Sequence, residues 1–275
     1  MTASIHPRLS TSTWSLHRAL GLTYPDTPAQ PNTGSAETYG RGNLTLLEVP
    51  AKLASIGIHT LEICHFHFPS RDPGYLAELR SALDSAGVEL FSLLIDDGDI
   101  AHPTDGQRDL AWIATWIETA GLLGAHCARV VAGKTLPSEA ALERSIAGLK
   151  VLVAHGKAHN VRVMTENWLS LLSTPDYVRR VMESVDIGLC ADFGNWHGAT
   201  KYDDLAAIFP FAESCHAKCS FSAAGEPDRE DYVRCLELSQ AVGFSGPYTL
   251  IYDSASADEW SGLAVEAEMV QPYLN

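Results

Sequence analysis

No apolar run in this 275-residue chain approaches the roughly 18 uninterrupted residues needed to cross a bilayer, which argues against a membrane span. The opening segment Met-Thr-Ala-Ser-Ile-His-Pro-Arg has no basic start followed by an apolar stretch. No secretory signal is therefore expected, and a cytoplasmic location follows. Positive charge is scarce: 19 Lys and Arg stand against 34 Asp and Glu, a formal net charge of −15. Phosphate-backbone binding needs clustered cations, so a nucleic-acid partner is not expected. Cysteine occurs six times but never as Cys-x-x-Cys, the closest pair being Cys215 and Cys219. Cys64, Cys127, Cys190 and Cys215 lie in apolar runs, where free thiols act as small buried hydrophobes. Reduced structural cysteines rather than disulfides are predicted. No Gly-x-Gly-x-x-Gly follows the first strand-like run, and no Gly-rich or Arg-rich phosphate cradle stands out. The first absence argues against a doubly wound dinucleotide-binding fold. The second leans toward unphosphorylated ligands.

What the sequence does contain is a repeat. Strand-like runs begin near Leu9, Ile58, Val88, His126, Val161, Ile187, Ser214 and Tyr248, with helix-like stretches between them. One helix is predicted from about Ser138 to His155, where Leu142, Ile146, Leu149 and Val153 recur at helical spacing. Another is predicted over 109–123, with Trp112, Trp116, Thr119 and Leu123 on one face and Gly124 as its cap. Four helices close on similar phrases: Ser55-Ile-Gly57-Ile, Ser85-Ala-Gly87-Val, Leu123-Gly124-Ala and Ala241-Val-Gly243-Phe. A glycine that ends a helix just before an apolar strand marks the junction of a parallel sheet. Eight such units in a chain of this length predict a closed (β/α)8 TIM barrel, one domain over 1–275. The first connection, 22–43, is long and rich in proline and glycine. It is read as a candidate active-site lid.

In such a barrel the active site lies at the carboxyl ends of the strands. Three predicted strands end on polar groups: Val161-Arg-Val-Met-Thr-Glu166, Leu189-Cys-Ala-Asp192 and Ser214-Cys-His216. Consecutive strands are neighbours in space, so Glu166, Asp192 and His216 converge, and Asp253 after the eighth strand could close the set. Carboxylates with one imidazole are oxygen-rich ligands that favour Mn2+ or Mg2+ and admit Zn2+. Lys218 shares a strand face with His216 and could hold a substrate oxygen or stabilise developing charge. Strand two carries Glu62, His65 and His67 near its tip. The acidic run Asp96, Asp97 and Asp99 has the wrong spacing for an EF-hand and is read as loop structure.

These residues carry a likeness. In Thr165-Glu166-Asn167, Asp192-Phe-Gly-Asn195, His216-Ala-Lys218 and Gly243-Phe-Ser-Gly246, the chain resembles the xylose isomerase-like TIM barrels. That superfamily of sugar phosphate isomerases and epimerases is also grouped with the family 2 apurinic endonucleases. The resemblance implies one divalent metal ion held by Glu166, Asp192, His216 and a strand-eight acid, with the first and last carboxylates also moving protons. Two departures stand out: the usual strand-eight Glu falls on Ile251, leaving Asp253 as the nearest carboxylate, and a substrate-binding His three residues after Asp192 is Asn195.

The expected function is a divalent-metal-dependent isomerase or epimerase of a sugar, keto-sugar or cyclitol, acting by metal-assisted proton abstraction beside a carbonyl. Glu166, Lys218 and Asp253 are its candidate catalytic residues. Trp14, Glu62, His65, His67, Asn167 and Asn195 are the candidate substrate contacts. A lyase of the same fold, dehydrating a keto-cyclitol or eliminating from a keto-glycoside, is the alternative. An apurinic endonuclease would need more histidines, and a non-catalytic binding subunit is the remaining reading. Self-association is compatible with the sequence but not specified by it.

Overall fold

The computed structural model describes residues 6–31, 33–256 and 258–274. Its strands are β1 (Arg8–Ser12), β2 (Thr60–Cys64), β3 (Glu89–Ile95), β4 (Cys127–Val130), β5 (Arg162–Glu166), β6 (Gly188–Asp192), β7 (Ala212–Cys219) and β8 (Pro247–Tyr252). They form a closed barrel in chain order, with parallel pairing throughout and β8 returning to β1. Around it lie α1 (His17–Leu20), α2 (Val49–Ala54), α3 (Pro73–Ala86), α4 (Gly106–Leu123), α5 (Glu139–Ala158), α6 (Pro175–Ser184), α7 (Lys201–Ile208), α8 (Arg229–Ala241) and α9 (Glu259–Val270). This is a single-domain TIM barrel.

Local chemistry explains the alternation. Gly87 and Gly124 cap α3 and α4 in the left-handed region, at φ 63° and 74°, which costs a glycine nothing. Ser138 starts α5 by accepting a hydrogen bond from the Ala141 amide. Trp112, Trp116, Thr119 and Leu123 are all buried on the inner face of α4. Inside the barrel, Phe91, Cys127, Met164 and Cys190 pack together beneath the mouth, so the interior is a filled core with its opening at the strand tips. All six cysteines are buried and free, and no helix among the described residues is long and apolar enough to cross a membrane.

The connection after α1 is pinched at its base. A Cβ on Gly21 would lie 2.0 Å from the Gly42 nitrogen, so only glycine lets the two ends approach this closely. Asp26 anchors the loop to the barrel, its carboxylate accepting from Trp112 Nε1 at 3.2 Å.

Candidate metal centre and active site

The barrel register brings three of the expected residues together. Asp192 sits opposite His216 between β6 and β7, and Glu166 ends the neighbouring β5. His216 Nδ1 lies 3.5 Å from Glu166 Oε1 and 3.5 Å from Asp192 Oδ2. The other imidazole nitrogen, Nε2, meets Glu62 Oε2 at 2.8 Å. Glu62 accepts that hydrogen bond, which fixes a proton on Nε2 and turns the Nδ1 position toward Glu166 and Asp192. Burial would lower the His216 pKa. The carboxylates of Glu166, Glu62 and Asp192 outweigh burial and hold it well above the ordinary value.

A cavity of about 300 Å³ opens over these groups, with Trp14, Phe66 and Trp168 on its walls beside Glu166, His216 and Lys218. Aromatic walls with a polar floor suit a small polyol, whose C–H face stacks while its hydroxyls reach the floor. Gly194 makes room for the lysine: a Cβ there would lie 2.8 Å from Lys218 Cδ. The turn is also held by Asp192, whose Oδ1 accepts from the Gly194 amide at 2.6 Å.

Several expected substrate contacts are corrected by their placement. Glu62 is almost fully buried beneath His216 and acts on that ring. Asn167 is buried and exchanges two hydrogen bonds with the Asp192 backbone, at 3.1 and 2.7 Å, fixing the β5–β6 tips. The strand ends at Cys64, so His65 and His67 fall in a 3-10 turn and line no part of the cavity. His65 uses both ring nitrogens, toward the Asp26 carbonyl at 3.1 Å and the Asp96 amide at 3.2 Å. His67 Nδ1 lies 2.8 Å from Thr13 Oγ1, and burial, with His17 and His65, holds its pKa down to about 3.

Asp253 is a further correction. β8 ends one residue before it, and the side chain stands off the cavity wall, exposed and paired with Lys218 Nζ at 2.8 Å. The wall position itself belongs to Ile251, in register with Lys218. Trp14, Asn195 and Lys218 do line the cavity, and Asn195 Nδ2 donates to Glu166 Oε1 at 2.7 Å.

Sequence reasoning missed Arg129. Its buried guanidinium lies 2.6 Å from Asp96 Oδ1 and 3.0 Å from Glu166 Oε2. Asp96, expected in a plain loop, therefore belongs to the cavity. Burial raises the Glu166 pKa, but Arg129, His216 and Asn195 outweigh it and hold the carboxyl down to about 2. The available signal was a lone Arg inside the four-residue buried strand Cys127-Ala-Arg-Val.

The residues present fit a divalent cation. Two carboxylate oxygens flank an imidazole nitrogen whose far side is anchored by another carboxylate, the usual second support of a metal-bound histidine. Glu166 Oε2 is buried without a hydrogen bond, the Arg129 contact being a poorly angled ion pair, so it keeps free acceptor capacity. Cys190 Sγ also approaches Glu166 and His216, all within 4.8 Å, but burial raises its pKa and keeps it a neutral thiol, a poor ligand.

A closed (β/α)8 barrel with carboxylates and an imidazole gathered at its mouth defines a class, and comparison with known families agrees. The chain belongs to the xylose isomerase-like TIM barrel family, whose model matches residues 50–253. Among solved structures it is similar to a xylose isomerase-like TIM barrel protein from Mycobacterium smegmatis in complex with magnesium. The identity is 16%, the TM-score 0.67, and 98% of each chain is covered. It is similar to D-allulose 3-epimerase from Methylomonas sp. at 12% identity and TM-score 0.70, covering 100% of each chain. It is also similar to the probable 3-DHS dehydratase of petrobactin synthesis from Bacillus anthracis, at 14% identity and TM-score 0.66, covering 98% of this chain and 100% of the other. No curated protein sequence matches the chain.

Proposed function

We propose that this protein is a divalent-metal-dependent isomerase or one-base epimerase of an unphosphorylated sugar, keto-sugar or cyclitol. The observation that carries this reading is the meeting of Glu166, Asp192 and His216 Nδ1 on the floor of an aromatic-walled cavity. The three would hold the cation, with Mn2+ or Mg2+ favoured by the oxygen-rich set. When bound, the ion would polarise a substrate carbonyl and acidify the neighbouring C–H. Glu166 is the base: Asn195 holds Oε1 by a hydrogen bond, the Arg129 charge stands beside Oε2, and the carboxyl is ionised at neutral pH. It takes the C–H proton and returns it on the same face to the adjoining carbon of the enediol, which isomerises the sugar. Because Ile251 occupies the wall where a facing carboxylate would stand, epimerisation needs the enediol to turn over before the proton returns. Lys218 reaches the oxygen on which negative charge develops.

A lyase is the second reading, favoured by the same lone carboxylate beside an ammonium. There Glu166 would take the proton next to the carbonyl while Lys218 protonates the departing oxygen. The relatives named an epimerase and a dehydratase support both outcomes of one initial step.

The test is incubation of a panel of ketoses, keto-sugars and keto-cyclitols with the protein and Mn2+ in D2O, followed by NMR and mass spectrometry. Deuterium entering beside the carbonyl, with the carbon skeleton and mass otherwise kept, is the expected result. Loss of water or an aglycone selects the lyase. Exchange that continues unchanged in Glu166→Gln contradicts both.

A further inference from the structure

A second group of donors gathers far from the mouth, at the carboxyl ends of α4 and α5. Because these helices run antiparallel to the strands, this is the opposite face of the barrel. Glu118 on α4, His155 in the last turn of α5 and His159 at its cap each offer one ligand atom, all within 4.8 Å of one another. His155 and His159 are spaced i, i+4, so their rings project from one side. The ring centroids are 4.7 Å apart with planes inclined at 43°.

Three further features point to a ligand between these side chains. His155 Nε2 faces Glu118 Oε1 at 3.2 Å, yet this buried nitrogen makes no hydrogen bond. Gly121, one turn beyond Glu118, lets the end of α5 press onto α4, since a Cβ there would lie 2.8 Å from the His159 carbonyl oxygen. The site also sits at the negative end of the dipole of a 20-residue helix, which favours a cation.

We propose that Glu118, His155 and His159 form a transition-metal site, separate from the barrel mouth, that clips the last turn of α5 to α4. Two imidazoles and one carboxylate select Zn2+ or a similar nitrogen-seeking ion over Mg2+. Binding to the folded state alone stabilises it by mass action.

The test compares wild type, the double variant His155→Ala/His159→Ala, and the mouth variant Asp192→Asn. Zn2+ binding is read by competition with a chromogenic chelator, and thermal unfolding is followed with and without Zn2+. The wild type and Asp192→Asn should both bind Zn2+ at this site and melt at a higher temperature with it. Placed in the Asp192→Asn background, so that the mouth does not compete for the ion, the double variant should lose that shift and bind Zn2+ roughly tenfold more weakly or worse. Glu118→Gln, which keeps the side-chain size, should weaken binding in the same direction and covers the case of a double variant that fails to fold. Zn2+ affinity and thermal shift unchanged in Glu118→Gln and in the folded double variant would overturn the proposal.

Discussion

His216 Nε2 and Glu62 Oε2 lie 2.8 Å apart, with both side chains buried in the barrel. β2 thus reaches across to orient an imidazole on β7. Glu62→Gln keeps the shape but offers a weaker acceptor, so the ring loses its orientation and basicity. Mn2+ affinity at the mouth should fall about 10–100-fold while the fold is retained. Calorimetric titration checks this, and unchanged affinity contradicts the role given to Glu62.

Arg129, itself buried, neutralises two carboxylates, the half-buried Asp96 and the buried Glu166. Arg129→Met leaves both without their cation and should cost about 3–5 kcal/mol in metal-free urea unfolding. Arg129→Lys should recover only part of this, because an ammonium cannot present a planar fork to two acids. Full recovery by lysine would contradict the geometry.

Glu266 on α9, outside the cavity lining, gives a pH signature of its own. Burial pushes its carboxyl well above the ordinary value of 4.5. Oε1 accepts from the Cys219 amide at 3.3 Å, and Oε2 has no hydrogen-bond partner. The folded protein keeps this proton while the unfolded chain releases it, so the contribution is whole below about 4.5 and is lost as pH rises. Glu266→Gln keeps the Cys219 contact and should stabilise the protein by about 1–2 kcal/mol at neutral pH. It should also flatten the slope of stability between pH 5 and 8, as read by urea unfolding. An unchanged slope contradicts the assignment.

Ile251 holds the wall position beside Lys218. Ile251→Glu should add a fourth donor and tighten Mn2+ binding by roughly tenfold or more, at a cost of about 1–3 kcal/mol in the metal-free protein. Affinity that stays the same would mean that the wall does not face the cation.

Much of this barrel is legible in the sequence because its signals are local. Gly57, Gly87, Gly124 and Gly243 all adopt positive φ where helices give way to strands, and the eight strands begin within two residues of the apolar runs that announced them. Glu166 and Asp192 are legible as strand ends, whereas the expected end at His216 is corrected: β7 runs on to Cys219, and His216 joins the other two because it lies in register with Asp192. What is not legible depends on the third dimension. Glu62 reaches His216 across the barrel from a strand that is not its neighbour. Asp96 lies just past the end of β3, and only the Arg129 guanidinium marks it as part of the cavity. His65 and His67 mislead because β2 stops at Cys64, and the following turn directs them to Asp26, Asp96 and Thr13.

The most direct measurement is anomalous diffraction at the manganese edge from crystals grown with Mn2+. One peak is predicted at the mouth, within bonding distance of Glu166, Asp192 and His216 Nδ1. A mouth with no peak, its Arg129–Glu166 ion pair intact and all three donors unligated, would contradict the account.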